Sequence, residues 1–356
     1  MLFDDMLKAG ESLFKNENAL DPEWVPKLLP FRDSQQRRVA ECIKPILIDR
    51  NGRNAFVFGA PGIGKTAAAK WVLRDLADSE FGEKIEMFYV NCWQKNTTFK
   101  VYAELCSQFG YSFTQNKSSE ELLDLIKEKC NKRGAVFVFD EMDKAVDNDF
   151  IYSLLNDVFK KSIILITNDP EWIQDIEDRV KSRLLPEIIE FKAYSSDETR
   201  RILKDRLDYA FVLNSFSDEA FEIVCTAASK IFDIRVGLHL LRQSGLIAES
   251  QSSRQVLPIH AEKALLTLPD FSPKKKDDLE EDSQLILSVV KSNSGEKIGR
   301  LFELYQQSGG KGIYKTFQRR IEKLASNKFV FAEKVTGKEG NTTIVRYEKP
   351  ADDVKA

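Results

Sequence analysis

Gly59-Ala60-Pro61-Gly62-Ile63-Gly64-Lys65-Thr66 has the residue types and spacing needed to hold a phosphate chain. Its glycines let the loop's backbone N–H groups close around phosphate oxygens. A helix starting at that point adds the positive end of its dipole. Lys65 would reach the β- and γ-phosphates of ATP or ADP, and the Thr66 hydroxyl would hold Mg²⁺. The alternative is a glycine-rich turn carrying an incidental lysine. Phosphate binding requires a strand before the loop and a helix after it. Ala55-Phe56-Val57-Phe58 is apolar enough for a buried strand, and Ala67-Ala68-Ala69-Lys70-Trp71-Val72-Leu73 favours helix.

Val136-Phe137-Val138-Phe139-Asp140-Glu141 is an apolar strand ending in two acids, and Asp140 falls 75 residues after Lys65. That distance leaves room for an intervening strand and helices. Asp140 would hold the water shell of Mg²⁺, and Glu141 would polarise a water for attack. Strand-end acids capping the next helix are the alternative. Asn168, ending Ile163-Ile164-Leu165-Ile166-Thr167, is either a γ-phosphate ligand that orients water or a turn asparagine. Arg179 and Arg183 share one helical face. There they would stabilise charge on a neighbouring subunit's nucleotide, or pair with Asp175 or Glu177. Asp233-Ile234-Arg235 opens a helix that swings Arg235 onto the phosphates, or is simply a capped helix start.

These residues need a scaffold. Strands are predicted at Ala55–Gly59, Ile85–Val90, Ala135–Asp140, Ser162–Thr167 and Glu187–Phe191. Helical patterns lie between them at Thr66–Ala77, Thr98–Phe109, Ser119–Lys132 and Asp149–Phe159. This alternation predicts an α/β fold, a parallel sheet covered on both faces. From Ser196 only helices follow, at Asp197–Phe211, Ser217–Ala228 and Arg235–Glu249, predicting a small helical lid. A Pro- and charge-rich stretch then leads to helices at Gln284–Lys291, Lys297–Ser308 and Thr316–Asn327. Two β-rich runs close the pattern, at Phe329–Lys334 and Thr342–Glu348, in the order of a winged helix. The division expected is 1–195 for the nucleotide-binding domain, 196–270 for the lid, 271–283 for a linker and 284–350 for the winged helix.

Charge separates the parts. The 356-residue chain has a formal net charge of −3, which argues against a protein basic throughout. From Ser283 to Pro350, however, thirteen basic residues face six acids. On the third helix Phe317, Ile321 and Leu324 form an apolar stripe, with Lys315, Arg319 and Lys323 opposite. Together with Thr316, Arg320 and Lys338 these are the candidate DNA contacts, the helix being the reader of a DNA groove. A solvated basic face serving a protein contact is the alternative. With only two histidines, His239 and His260, neither a histidine-based triad nor a zinc site is expected. Five scattered cysteines, with no C-x-x-C pair, read as reduced thiols of an intracellular protein. The sequence carries no signal peptide and no apolar run long enough for a membrane span, so a cytoplasmic, nucleoid-associated protein is expected.

With these residues laid out, the chain resembles archaeal replication initiators of the origin recognition complex family, AAA+ ATPases, over nearly its whole length. The resemblance is carried by Leu20-Asp21-Pro22-Glu23-Trp24-Val25-Pro26 leading to Leu29-Pro30-Phe31-Arg32-Asp33, which implies that Pro30 and Arg32 lie by the adenine. Tyr89-Val90-Asn91-Cys92 and the helical segment to about Phe113 resemble the insertion that touches DNA in initiators. Ile166-Thr167-Asn168-Asp169 resembles the first sensor, Arg179 to Leu184 the finger region, and Asp233-Ile234-Arg235 the second sensor. The resemblance implies ATP or ADP with Mg²⁺, slow hydrolysis acting as a switch, and recognition of double-stranded origin DNA. It also implies recruitment of the replicative helicase and contact with other initiator subunits. One departure is the wing, Gly337-Lys338-Glu339-Gly340-Asn341-Thr342-Thr343, where relatives are rich in glycine and arginine. Two further readings stay open: a signalling ATPase using its winged helix for protein contacts, and a clamp or helicase loader.

Overall fold

The computed structural model describes residues 12–268, 281–310, 312–326, 330–337 and 340–347. They fall into two compact units, Met1–Leu266 and Thr267–Ala356.

The first unit is built on five parallel strands, β1 (Ala55–Phe58), β2 (Glu86–Asn91), β3 (Ala135–Asp140), β4 (Lys161–Thr167) and β5 (Glu187–Glu190), in the order β2-β3-β4-β1-β5. Every residue of β3 and β4 is buried, because inner strands of a parallel sheet are covered on both faces; their polar residues, Asp140, Lys161, Ser162 and Thr167, stand at the strand ends. Edge strands β2 and β5 carry partly exposed residues. One face packs Phe137, Phe139, Ile163 and Leu165 under α3 (Thr98–Gln108), α4 (Ser119–Cys130), α5 (Asp149–Asp157) and α7 (Asp178–Leu184). The other packs Val57, Val138, Ile164 and Ile166 against α1 (Asp33–Leu47) and α2 (Lys65–Ala77). The short α6 spans Trp172–Asp175. Expected strands and helices are present with ends shifted by a few residues. Helix α1 is an addition, and Pro45 in its last turn disguises it, since proline reads as a helix stop.

Four helices follow the sheet: α8 (Ser196–Ala210), α9 (Asp218–Ile231), α10 (Ile234–Ser250) and α11 (Pro258–Leu265). Their starts are written in the sequence as caps. Ser195 with Glu198 forms a capping box, Ser217 caps α9, and Asp233 caps α10. The N-terminal segment is tied to this lid. Phe14 pairs with Phe211 across a β-bridge, and their rings lie 4.6 Å apart.

In the second unit α12 (Glu281–Ser292), α13 (Ile298–Gln307) and α14 (Tyr314–Ser326) precede the antiparallel pair β7 (Val330–Gly337) and β8 (Gly340–Tyr347). The two-residue strand β6 (Glu296–Lys297) pairs with β8. Phe317, Ile321 and Leu324 are buried with Leu301 and Tyr305, so the predicted stripe of α14 faces inward. Arg319 is exposed, and Thr316 and Arg320 are partly so. The side chains of Lys315 and Lys323, and the whole of Lys338, lie outside the described residues. All five cysteines are free and buried. No helix among the described residues is long and apolar enough to cross a membrane.

Gly245 of α10 faces the Phe14–Phe211 pair; a Cβ there would come within 2.3 Å of Phe14 and 2.8 Å of Phe211. Glycine to alanine inside a helix normally gains about 0.5–1 kcal/mol, whereas overpacking costs about 1–3 kcal/mol. Gly245→Ala should therefore lower the urea-unfolding free energy by about 1–2 kcal/mol; a rise would show that the aromatic pair yields freely.

Candidate functional site

The strand order aligns the C-terminal ends of β1, β3 and β4, with Phe58 opposite Thr167 and Phe139 opposite Leu165. The phosphate-loop sequence follows β1 there. Gly62 and Gly64 have φ of +73° and +90°, where a side chain is strained. A Cβ on Gly64 would also lie 2.8 Å from the Tyr194 hydroxyl. These glycines let the loop turn into α2 while keeping close neighbours on both sides.

Lys65 is buried, and its ammonium donates to Gly59 O (2.7 Å), Ala60 O (2.8 Å) and Asn168 Oδ1 (2.8 Å). Thr66 Oγ1 donates to Asp140 Oδ2 at 2.5 Å, so hydroxyl and carboxylate converge as a divalent-cation site requires. The other oxygen, Asp140 Oδ1, accepts from the Glu141 N–H at 2.9 Å. Glu141 itself sits in the left-handed region, φ 56° and ψ 46°. Burial, reinforced by Asp140 and Asp143, raises the pKa of its carboxyl from the usual value, the direction in which a carboxylate becomes a better base. Asp143 accepts from the Thr167 hydroxyl (2.9 Å) and the Asn168 N–H (3.4 Å), fixing the end of β4.

The lid closes the other side. The Ile234 N–H points to Gly62 O at 3.3 Å, and Arg235 pairs with Asp233 at 2.7 Å. Between loop and lid lies a cavity of about 510 Å³. The phosphate-loop and strand-end residues Gly62, Gly64, Lys65, Thr66, Asp140, Glu141 and Asn168 line it with Arg235. So do the N-terminal segment (Val25, Pro26, Leu29, Pro30) and the lid (Ile202, Leu238), which add both apolar and charged groups, Glu23, Asp205, Arg206 and Asp208 among them. Pro61 and Ile63 complete the loop wall. A phosphate-binding loop facing apolar side chains across this volume fits a nucleotide, phosphates at the loop and base toward Val25, Pro30 and Ile202.

Two expected contacts fall outside the cavity lining. The guanidinium of Arg32 is buried behind the loop, donating to Ile63 O (3.1 and 3.0 Å) and Lys192 O (2.7 Å) and lying 3.8 Å from the Tyr194 ring centroid. The left-handed turn at Phe31 precedes it, and Arg32 braces the loop. Ala60 meets Lys65 through its carbonyl. Arg179 and Arg183 also lie away from their own chain's cavity, both over the Tyr152 ring at 4.8 and 5.1 Å. Arg179 in addition pairs with Asp149 and Glu177. Sequence reasoning missed Asp143, although a third acid so close to Asp140 and Glu141 was visible. It also missed Arg206, which is buried and donates to Ala19 O and Trp24 O, both at 3.0 Å. Nothing local distinguishes Arg206 from the other arginines of α8.

An AAA domain family model matches residues 48–170, and the model of the Cdc6 AAA+ ATPase-type lid domain matches residues 200–265. ORC1-type DNA replication protein 2 of Methanothermobacter thermautotrophicus is 30% identical over 363 residues, spanning 96% of this chain and 93% of the relative. ORC1-type DNA replication protein 1 of Sulfurisphaera tokodaii is 30% identical over 341 residues, spanning 90% and 85%. Among solved structures, the Aeropyrum pernix ORC1 protein in complex with DNA is similar at a TM-score of 0.68 and 25% identity, covering 95% of this chain and 94% of that one. The ADP form of the Aeropyrum pernix ORC2 protein shares the fold at a TM-score of 0.70 and 17% identity, covering 96% of each chain.

Burial pulls the Lys65 amine down to about 8, against the opposing attraction of Asp140. A phosphate beside it would raise that value again. Between the two values, nucleotide binding must take up a proton, so affinity should fall as pH rises above about 8, by up to about tenfold per unit. Calorimetry of ADP binding at about pH 8.5, in buffers of different ionisation enthalpy, should show this uptake. Lys65→Ala should abolish it; uptake unchanged in that variant would assign the proton elsewhere.

Proposed function

Because the chain belongs to the archaeal ORC1/Cdc6 family of AAA+ ATPases, we propose that it is a replication initiator whose bound nucleotide, ATP or ADP, governs its hold on origin DNA. The observation that carries the nucleotide part is the convergence of Lys65, Thr66, Asp140 and Asn168 in one cavity between loop and lid. The chain is an ATPase by family; the division of labour that follows is our reading.

Lys65 neutralises β- and γ-phosphate oxygens once nucleotide displaces the Gly59 and Ala60 carbonyls from its ammonium. Thr66 and Asp140 would hold Mg²⁺, which when bound would supply neutralisation of phosphate charge. Glu141 orients and deprotonates the attacking water, and Asn168 hydrogen-bonds the γ-phosphate. Arg235 reads the γ-phosphate from the lid, and Arg183, with Arg179 as the second choice, serves a neighbouring subunit. Pro30 and its apolar neighbours cover the base. Hydrolysis is slow and acts as a switch. Residues 1–195, 196–270 and 284–350 act as nucleotide-binding, lid and winged-helix domains, with 271–283 as a linker. The winged helix reads double-stranded DNA through α14, where Arg319 is exposed opposite the buried Phe317–Ile321–Leu324 stripe. A replicative helicase and other initiator subunits are the partners, in the cytoplasm at the nucleoid.

Glu141→Gln keeps the site's shape and removes the base, so ATP affinity should stay within about twofold while single-turnover hydrolysis falls by about 10²-fold or more. Hydrolysis at the wild-type rate would remove Glu141 from the role. For DNA, Arg319→Ala should cost about 1–3 kcal/mol on the preferred duplex and relax preference at one position. The assay is competition binding on duplexes from the DNA flanking the gene at fixed salt. Equal loss on every sequence would make Arg319 a phosphate contact.

A further inference from the structure

Asp140 has a donor besides the loop threonine and its own neighbour's N–H. The Tyr89 hydroxyl on β2 donates to Asp140 Oδ2 at 2.9 Å, the oxygen that also accepts from Thr66. Tyr89 pairs with Val138 in the sheet and lines the nucleotide cavity. Its ring carries the Lys70 ammonium 4.9 Å from its centroid, and Lys70 pairs in turn with Glu23 of the segment over the base pocket.

The backbone of Tyr89 is held just as specifically. Strand β2 is a sheet edge, and an edge leaves N–H and C=O groups without a neighbouring strand. The Gln108 side chain, at the end of α3, takes both: Nε2 donates to Tyr89 O at 2.7 Å, and Oε1 accepts from Tyr89 N at 3.2 Å. Gln108 is itself held by Glu104 at 3.0 Å, and Glu104 pairs with Lys95.

We infer that Tyr89 is a positioning residue for the metal-binding carboxylate, and that Gln108 sets its place from α3. The inference rests on the reading of Thr66 and Asp140 as the Mg²⁺ site. When a cation takes the Thr66 hydroxyl, Oδ2 of Asp140 loses one of its two donors, and Tyr89 is the one that remains. Without it Oδ2 keeps neither donor, and the Glu141 N–H on Oδ1 is left to set the carboxylate's rotation. Displacement of α3 would reach Asp140 through two hydrogen-bonded residues.

The test is Mn²⁺ binding to the full chain with saturating ADP, followed by electron paramagnetic resonance, alongside ADP affinity and melting temperature in EDTA. Outer hydrogen bonds to metal ligands are worth about 10–100-fold in metal affinity. Tyr89→Phe, which removes one oxygen, should weaken Mn²⁺ by about tenfold. ADP affinity in EDTA should stay within about twofold, a split that a merely structural role would not give. Gln108→Ala should weaken Mn²⁺ in the same direction, and the double variant should bind it no worse than Tyr89→Phe, because the two act through one bond. Wild-type Mn²⁺ affinity in Tyr89→Phe overturns the inference while leaving the site reading intact. Additive losses overturn the part played by Gln108. A wild-type chain that binds ADP but no Mn²⁺ overturns the site reading and the inference with it.

Discussion

Everything at the site depends on one constraint: three strand ends must stop at the same level of the sheet. Thr66 reaches Asp140, and Lys65 reaches Asn168, because β4 lies between β1 and β3 and pairs with both in register. A shift of one residue in either pairing would turn a functional side chain to the opposite face of the sheet. The register is secured by the apolar faces of β3 and β4, buried without exception. The insulated core and the polar cluster at its edge are therefore one construction. The first fixes the positions that the second needs.

The same economy explains the cations around the loop. Lys65 and Arg32 both satisfy loop carbonyls, but with different commitments. Arg32 donates to Ile63 O and Lys192 O and stacks on Tyr194, a planar fork spent on several partners at once. Lys65 is a point charge on a flexible stem, and its amine is already pulled down to about 8 by burial. It gains more from a phosphate than Arg32 does, and it has less geometry to give up. One cation braces the loop and the other is left to exchange partners.

Most of this was legible in the sequence, and the parts that were not share a physical reason. Loop glycines, strand-end acids and helix caps are local codes, since each residue's role is set by neighbours within a few positions. The loop, β3 with its two acids and the starts of α8, α9 and α10 were accordingly readable. Arg32 and Tyr89 act through contacts separated by 31 and 51 residues, and no local pattern announces such contacts. For Arg32 the family resemblance pointed to the base, whereas its guanidinium is turned behind the phosphate loop. Helix α1 went unread for a different reason: Pro45 falls in its last turn, and a proline reads as the interruption of a helix.

The two arginines of α7 show how far geometry can rank candidates that sequence treats alike. Both lie over Tyr152, four residues apart, on the face away from their own cavity. A residue that acts on a neighbour's phosphates must be released from its resting partners, and the cost of release separates them. Arg179 would give up two carboxylates, Asp149 and Glu177, as well as the ring. Among the described residues Arg183 has the ring alone. Exposed ion pairs are individually weak, about 0–1 kcal/mol, but two of them held by one planar guanidinium fix its direction. Arg179 thus serves better as the strut that keeps Tyr152 and α7 together. Arg183 rests on that strut, and in the proposed role toward a second subunit it would have only the ring to release.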